Sequence, residues 1–190
     1  VVDEIYQGLV YGLAPSTTLE LGEDIFVINS FSKYQGMTGW RLGWIVAPEP
    51  FIEPIDRLAQ NIFLAPSTIA QHAALAAFVP ETLAILEQRR LAFQERRDFL
   101  LPALRDLGFE LPVTPQGAFY LYADAGRLTE DSADFAERLL FEAGVAVTPG
   151  RDFGCNQPER FLRFAYTTSL DRLQEGVERL RRFIEASPEQ

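Results

Sequence analysis

Across 190 residues there is one cysteine, one histidine, one methionine and one lysine. A single cysteine, Cys155, excludes an internal disulfide framework. It follows Phe153-Gly154 with no histidine nearby in sequence, so it reads as an incidental thiol rather than a nucleophile. The lone histidine, His72, lies in a small-residue helical pattern from Ser67 to Phe78, where a structural role is the plain reading. A Ser-His-Asp triad or a multi-histidine metal site is therefore not expected. No long apolar span and no signal-peptide pattern is visible, so no membrane is expected and the cytoplasm is the expected location. Internal repeats, low-complexity tracts and long runs of one charge are absent as well. The formal charge of −10 and pI near 4.6 make nucleic acid an unexpected partner, and the mixed charges read as an ordinary solvated surface. The chain also has no initiator methionine and opens at Val1 directly in a strand-like run, from which we expect sequence upstream.

The composition is 47% hydrophobic and 12% aromatic, enough for a real core. Val1–Asp3, Ile25–Asn29 and Trp44–Ala47 read as short apolar strands, the last stopped by Pro48, of the kind found in a sheet covered on both faces. Helical patterns follow over Pro50–Leu64, Ser67–Val79 and Pro80–Leu107, the last closed by Gly108 and expected to kink or break at Pro102. Beyond it, Phe109–Val113 and Ala118–Ala123 read as strands. Ser132–Ala143 reads as a helix with Phe135, Ala136, Leu139 and Leu140 on one face. Val145–Val147 and Phe161–Tyr166 read as further strands. The closing helix shows Leu170, Leu173, Val177, Leu180 and Ile184 at 3-4-3-4 spacing. The order predicts an α/β chain: part of a mostly parallel sheet with helices over residues 1–90, then a small α+β domain over 91–190, with the boundary inside the long helix.

The chemistry concentrates in Ser30-Phe-Ser-Lys-Tyr-Gln-Gly-Met-Thr-Gly-Trp-Arg-Leu-Gly43. Lys33 falls just past a strand end, where ligand crevices form in open α/β sheets. Arg41 stands between Gly39 and Gly43. Glycines admit close backbone approach, and a guanidinium fork suits phosphate oxygens. Ser30 and Ser32 add hydroxyl donors. Two further segments are notable: Asp3-Glu-Ile-Tyr6, and Phe161-Leu-Arg-Phe-Ala-Tyr166, which places an arginine inside an apolar strand. Such an arginine is costly unless paired.

Together these segments resemble the class I and II aminotransferases, fold-type I enzymes that use pyridoxal 5′-phosphate (PLP). The resemblance covers the whole chain and corresponds to the C-terminal half of a family member. It implies that Lys33 carries the cofactor covalently and that Ser30 and Arg41 hold its phosphate, with Ser32 nearby. It further implies that Asp3 faces the pyridine nitrogen and keeps it protonated, and that Tyr6 bonds the ring hydroxylate. Arg163, rather than Arg160, would clamp the substrate α-carboxylate. Gly117–Tyr120 and Thr148–Gly154 also resemble family segments, read as walls without a catalytic step. The implied activity is amino transfer from an L-amino acid to a 2-oxo acid by a homodimer. The family's phosphate-binding loop, its ring-stacking aromatic residue and its asparagine are not found here, so these residues alone are not expected to form a working site. A carbon–sulfur lyase on the same scaffold, or the effector-sensing domain of a transcription regulator, shares the lysine segment and stays open at this point.

Overall fold

A computed structural model describes residues 1–186. The chain forms two compact units: Val1–Arg90 with Gln116–Ala118, and Leu91–Pro115 with the chain from Phe119 onward.

In the first unit, β1 (Val2–Asp3) pairs parallel to β2 (Val27–Ser30), which pairs antiparallel to β3 (Gly43–Val46). The link between β2 and β3 holds no α-helix to carry a crossover, and the chain reverses. Gly43 lies opposite Ser30, where a Cβ would stand 2.6 Å from the carbonyl oxygen of Asn29; the ladder closes because that atom is missing. β2 starts at Val27, later than the apolar run. Phe26 before it packs edge-on against Phe51 and accepts a hydrogen bond from the Val2 N–H. Sheet faces covered on both sides are not seen among the described residues. Val27 is buried, but Ile28, Trp44, Ile45 and Val46 are exposed by 36% to 43%.

Helix α1 (Glu49–Ile62) starts after Pro48, with Pro50 in the first turn, where its missing N–H goes unused. Helix α2 (Thr68–Leu75) is capped by Ser67, whose hydroxyl accepts from the Ala70 N–H. Its small residues are the reason it can pack closely: Ala70 and Ala74 are buried, and His72 sits on the exposed face. Phe31, Met37, Ala74 and Ala77 form a small apolar cluster in this unit.

Helix α3 (Pro80–Asp106) contains the boundary between the units. Pro102 does not end it. Leu100, Leu101 and Leu104 around the proline are buried, and their packing offsets the lost backbone hydrogen bond.

The second unit holds a sheet of β4 (Tyr120–Asp124), β6 (Phe161–Ala165) and β5 (Thr148–Pro149), in the order β4-β6-β5 and antiparallel throughout. Strand alternation sends Leu121, Ala123, Leu162 and Phe164 into the core. Helix α4 (Ser132–Arg138) is capped by Asp131, whose carboxylate accepts from the Ala133 and Asp134 N–H groups. It widens into a π-turn over Leu139–Ala143, closed by Gly144 at φ 65°. Helix α5 (Leu170–Ala186) covers the core with Leu173, Val177, Leu180 and Phe183.

Three expectations are corrected here. Phe109–Val113 makes only one β-bridge, Glu110 to Asp124. Phe109 and Leu111 point inward as a strand would, but Pro112 has no N–H to continue a ladder. Leu140 is 48% exposed because the π-turn adds a residue per turn and rotates it off the apolar face. Val145–Val147 forms no ladder; pairing begins at Thr148. Among the described residues no single helix is long and apolar enough to cross a membrane.

Candidate active site

Parallel pairing of β1 and β2 brings their C-terminal ends, Asp3 and Ser30, to the same edge of the first unit's sheet. The chain leaves β1 through consecutive turns, with Gln7 N–H donating to the Glu4 carbonyl and Leu9 N–H to the Tyr6 carbonyl. It leaves β2 through a turn closed by the Gly36 N–H on the Lys33 carbonyl, with Gly36 at φ 68°. These turns set the Lys33 Nζ 5.6 Å from the centre of the Tyr6 ring, within cation–π reach.

The remaining residues of the segment are joined by a relay of hydrogen bonds. Ser30 Oγ accepts from the Ser32 N–H at 3.0 Å and donates to the Leu42 carbonyl at 3.3 Å. The Ser32 carbonyl accepts from the Thr38 hydroxyl at 2.8 Å, and Arg41 Nη1 donates to the Thr38 carbonyl at 2.9 Å. Thr38 thus ties Arg41 to the serines. Nothing in its residue type signalled this role beyond its place within the segment. Arg41 is exposed and held in the left-handed region at φ 53° and ψ 51°, which costs an L-residue roughly 1–2 kcal/mol. Asp3 is exposed, and one of its carboxylate oxygens accepts from the Ile5 N–H.

Glu4, beside Asp3, has a different part. It is 7% exposed. Its Oε1 accepts from the Thr18 N–H and the Thr18 hydroxyl at 2.7 Å each, and from the Thr17 hydroxyl at 3.3 Å. Burial works to raise its carboxyl, but the Thr18 and Thr17 hydrogen bonds outweigh it and hold the group below the usual carboxylate range. A carboxyl lowered on folding stabilises the fold fully above its unfolded value, about 4.3, and that contribution is lost as pH falls through the folded value. Glu4→Gln should therefore lower stability by about 1–3 kcal/mol at neutral pH. The gap to wild type should close in thermal melts as the pH falls below the unfolded value and through the lower folded one.

In the second unit, Arg163 lies on β6 opposite Tyr122 and Thr148. Its guanidinium sits 4.3 Å from the ring centre of Tyr120 and 4.4 Å from that of Phe153. Nη2 reaches the Thr148 hydroxyl only at 3.4 Å, and the buried Nε has no hydrogen-bond partner. Among the described residues no carboxylate pairs with it. Arg160, three positions earlier, is already paired with Asp124 at 2.6 Å. Tyr120, Thr148 and Phe153 belong to the two segments read only as walls. Period-two alternation was the available signal for Tyr120, because it shares a face of β4 with Tyr122, the register partner of Arg163.

The sequence matches the family described as aminotransferase class I and II over residues 1–180. The chain belongs to that family. It is 37% identical to the valine–pyruvate aminotransferase of Mycobacterium tuberculosis, over 95% of this chain and 47% of that protein. It is 40% identical to an aspartate aminotransferase of Geobacillus stearothermophilus, over 98% of this chain and 49% of that protein. The crystal structure of an aminotransferase from Mycobacterium tuberculosis superposes with a TM-score of 0.92 at 37% identity, covering 97% of this chain and 48% of that one. The chain thus spans about half the length of these aminotransferases. The α/β class expected from the sequence is the class of this aminotransferase fold.

Proposed function

We propose that the complete protein is a PLP-dependent aminotransferase moving an amino group from an L-amino acid to a 2-oxo acid. One observation carries the reading: the chain's only lysine lies against Tyr6 at the sheet edge that also holds Asp3 and Ser30. The donor set suits PLP. Lys33 offers an amine for its aldehyde, Asp3 a carboxylate for the pyridine nitrogen, and Tyr6 a phenol for the ring hydroxylate. Ser30 and Arg41 offer a hydroxyl and a guanidinium for the phosphate, with Ser32 beside them. When bound, PLP supplies an electron sink for the substrate α-carbon.

Each residue then has a task. Lys33 would hold the cofactor and, once its amine is free, take the proton from the substrate α-carbon and deliver it to the cofactor carbon that bore the aldehyde. The Thr38 relay keeps Arg41 and the serines in register. In the second unit, Arg163 orients the substrate α-carboxylate. Among the described residues no acid competes for its fork, and the flanking rings fix its plane. In this reading residues 1–90 form the C-terminal part of the large cofactor domain and residues 91–190 the small domain. A cytoplasmic homodimer goes with it on the strength of the family alone.

Product analysis tests the reaction class. Incubation of the complete protein with amino acids and a 2-oxo acid should yield a new amino acid. Pyruvate and ammonia without a new amino acid would instead assign an eliminating lyase.

A further inference from the structure

We propose that Tyr34, seated on Gly8, is a positioning residue that fixes Lys33 against Tyr6; the proposal rests on reading Lys33 as the cofactor-bearing amine. Tyr34 follows Lys33 in the chain, and Gly8 stands two residues beyond Tyr6. A Cβ built on Gly8 would fall 2.3 Å from Tyr34 Cγ, 2.6 Å from its Cβ and 2.8 Å from its Cδ1. Carbon atoms in contact keep roughly 3.5–4.0 Å, so the tyrosine lies on a surface that only glycine leaves open. Of the glycines in this unit, Gly8 is the one whose missing side chain is replaced by an aromatic ring.

This contact links two turns that are each stiffened by their own hydrogen bonds, Glu4–Leu9 on one side and Lys33–Gly36 on the other. The Tyr6–Lys33 approach lies between the same two turns. Moving Tyr34 away from Gly8 therefore moves Lys33 away from Tyr6. The segment that carries Gly8 is also constrained. Arg90 is paired with Glu87 at 2.6 Å and donates to the Val10 carbonyl at 2.8 Å, which anchors the segment just after Gly8. Burial, with Glu87 adding to it and Arg90 opposing, pushes the Tyr34 hydroxyl up, so the ring stays neutral and acts as a spacer.

The test uses the complete protein and two readouts. The first is the rate at which an amine-reactive reagent labels Lys33 in cofactor-free protein, followed by peptide mass mapping. The second is retention of PLP on dialysis, followed by its absorbance. Gly8→Ala should change the labelling rate at least about threefold and weaken retention at least about tenfold. Tyr34→Phe should match wild type in both, because the ring and not the hydroxyl makes the contact. Leu121→Ala, a core change in the second unit, should lower the melting temperature without moving the labelling rate. Should Gly8→Ala fail to fold, Tyr34→Ala alone adds no bulk and should shift the labelling rate by itself. An unchanged labelling rate in both Gly8→Ala and Tyr34→Ala overturns the proposal. So does an equal shift in Leu121→Ala, or a Tyr34→Phe protein that behaves like Gly8→Ala. Borohydride reduction that leaves wild-type Lys33 unmodified would sink the cofactor assignment instead, while the labelling comparison would still decide the Gly8–Tyr34 contact.

Discussion

Lys33→Ala is expected to abolish covalent retention of PLP by the complete protein, the largest single effect among these predictions. Only a primary amine at this position can condense with the cofactor aldehyde. Lys33 is the only side-chain amine in the 190 residues. Its setting also favours the assignment over a solvated charge, because it is half-buried and its Nζ lies beside the Tyr6 ring. Borohydride reduction of the wild type, followed by peptide mapping, should place a phosphopyridoxyl group on the peptide that contains Lys33. The alanine protein should carry none there. A label on a different residue, with Lys33 unmodified, would end the assignment.

The second large effect should come from Arg163→Ala, which is expected to weaken amino-acid and 2-oxo-acid binding while PLP stays bound. Truncating one partner of a charge-assisted pair costs about 1.5–3 kcal/mol, or roughly ten- to hundredfold in apparent affinity. The fold should tolerate the change, since Arg163 makes no ion pair among the described residues and its Nε is an orphan donor. Arg163→Lys should rescue poorly, because an ammonium lacks both the planar fork and the stacking that Tyr120 and Phe153 give. Substrate saturation unchanged from wild type, with cofactor in place, would make Arg163 a structural residue only.

Much of this was legible from the chain itself, for physical reasons that differ from place to place. Helix α5 is readable because each buried residue recurs at helical spacing on one side of a charged helix. The strand edges were readable less well. Phe109–Val113 has the alternation of a strand, and only Pro112 within it tells that its ladder will fail. Leu140 was misplaced because a π-turn changes the period for a few residues without any residue that announces it. At the site, residue types pointed to Lys33, Ser30 and Arg41, but types alone say nothing of a contact made by a missing atom. Gly8 and Tyr34 look unremarkable in the sequence, and the link between them exists only once two turns are folded against each other. The ring pair around Arg163 was hidden for a related reason: Phe153 comes from an irregular loop, for which no periodicity holds.

The chain crosses between its two units more than once, because Gln116–Ala118 lies with the first unit while both its flanks lie with the second. The Tyr11 N–H donates to the Gln116 carbonyl, and the Ala118 N–H to the Leu9 carbonyl. A chimaera that joins two relatives at Arg90–Leu91 would therefore take this short bridge from different parents. Splicing is better planned so that Gln116–Ala118 travels with the parent that supplies Leu9–Tyr11, even at the cost of three junctions in place of one.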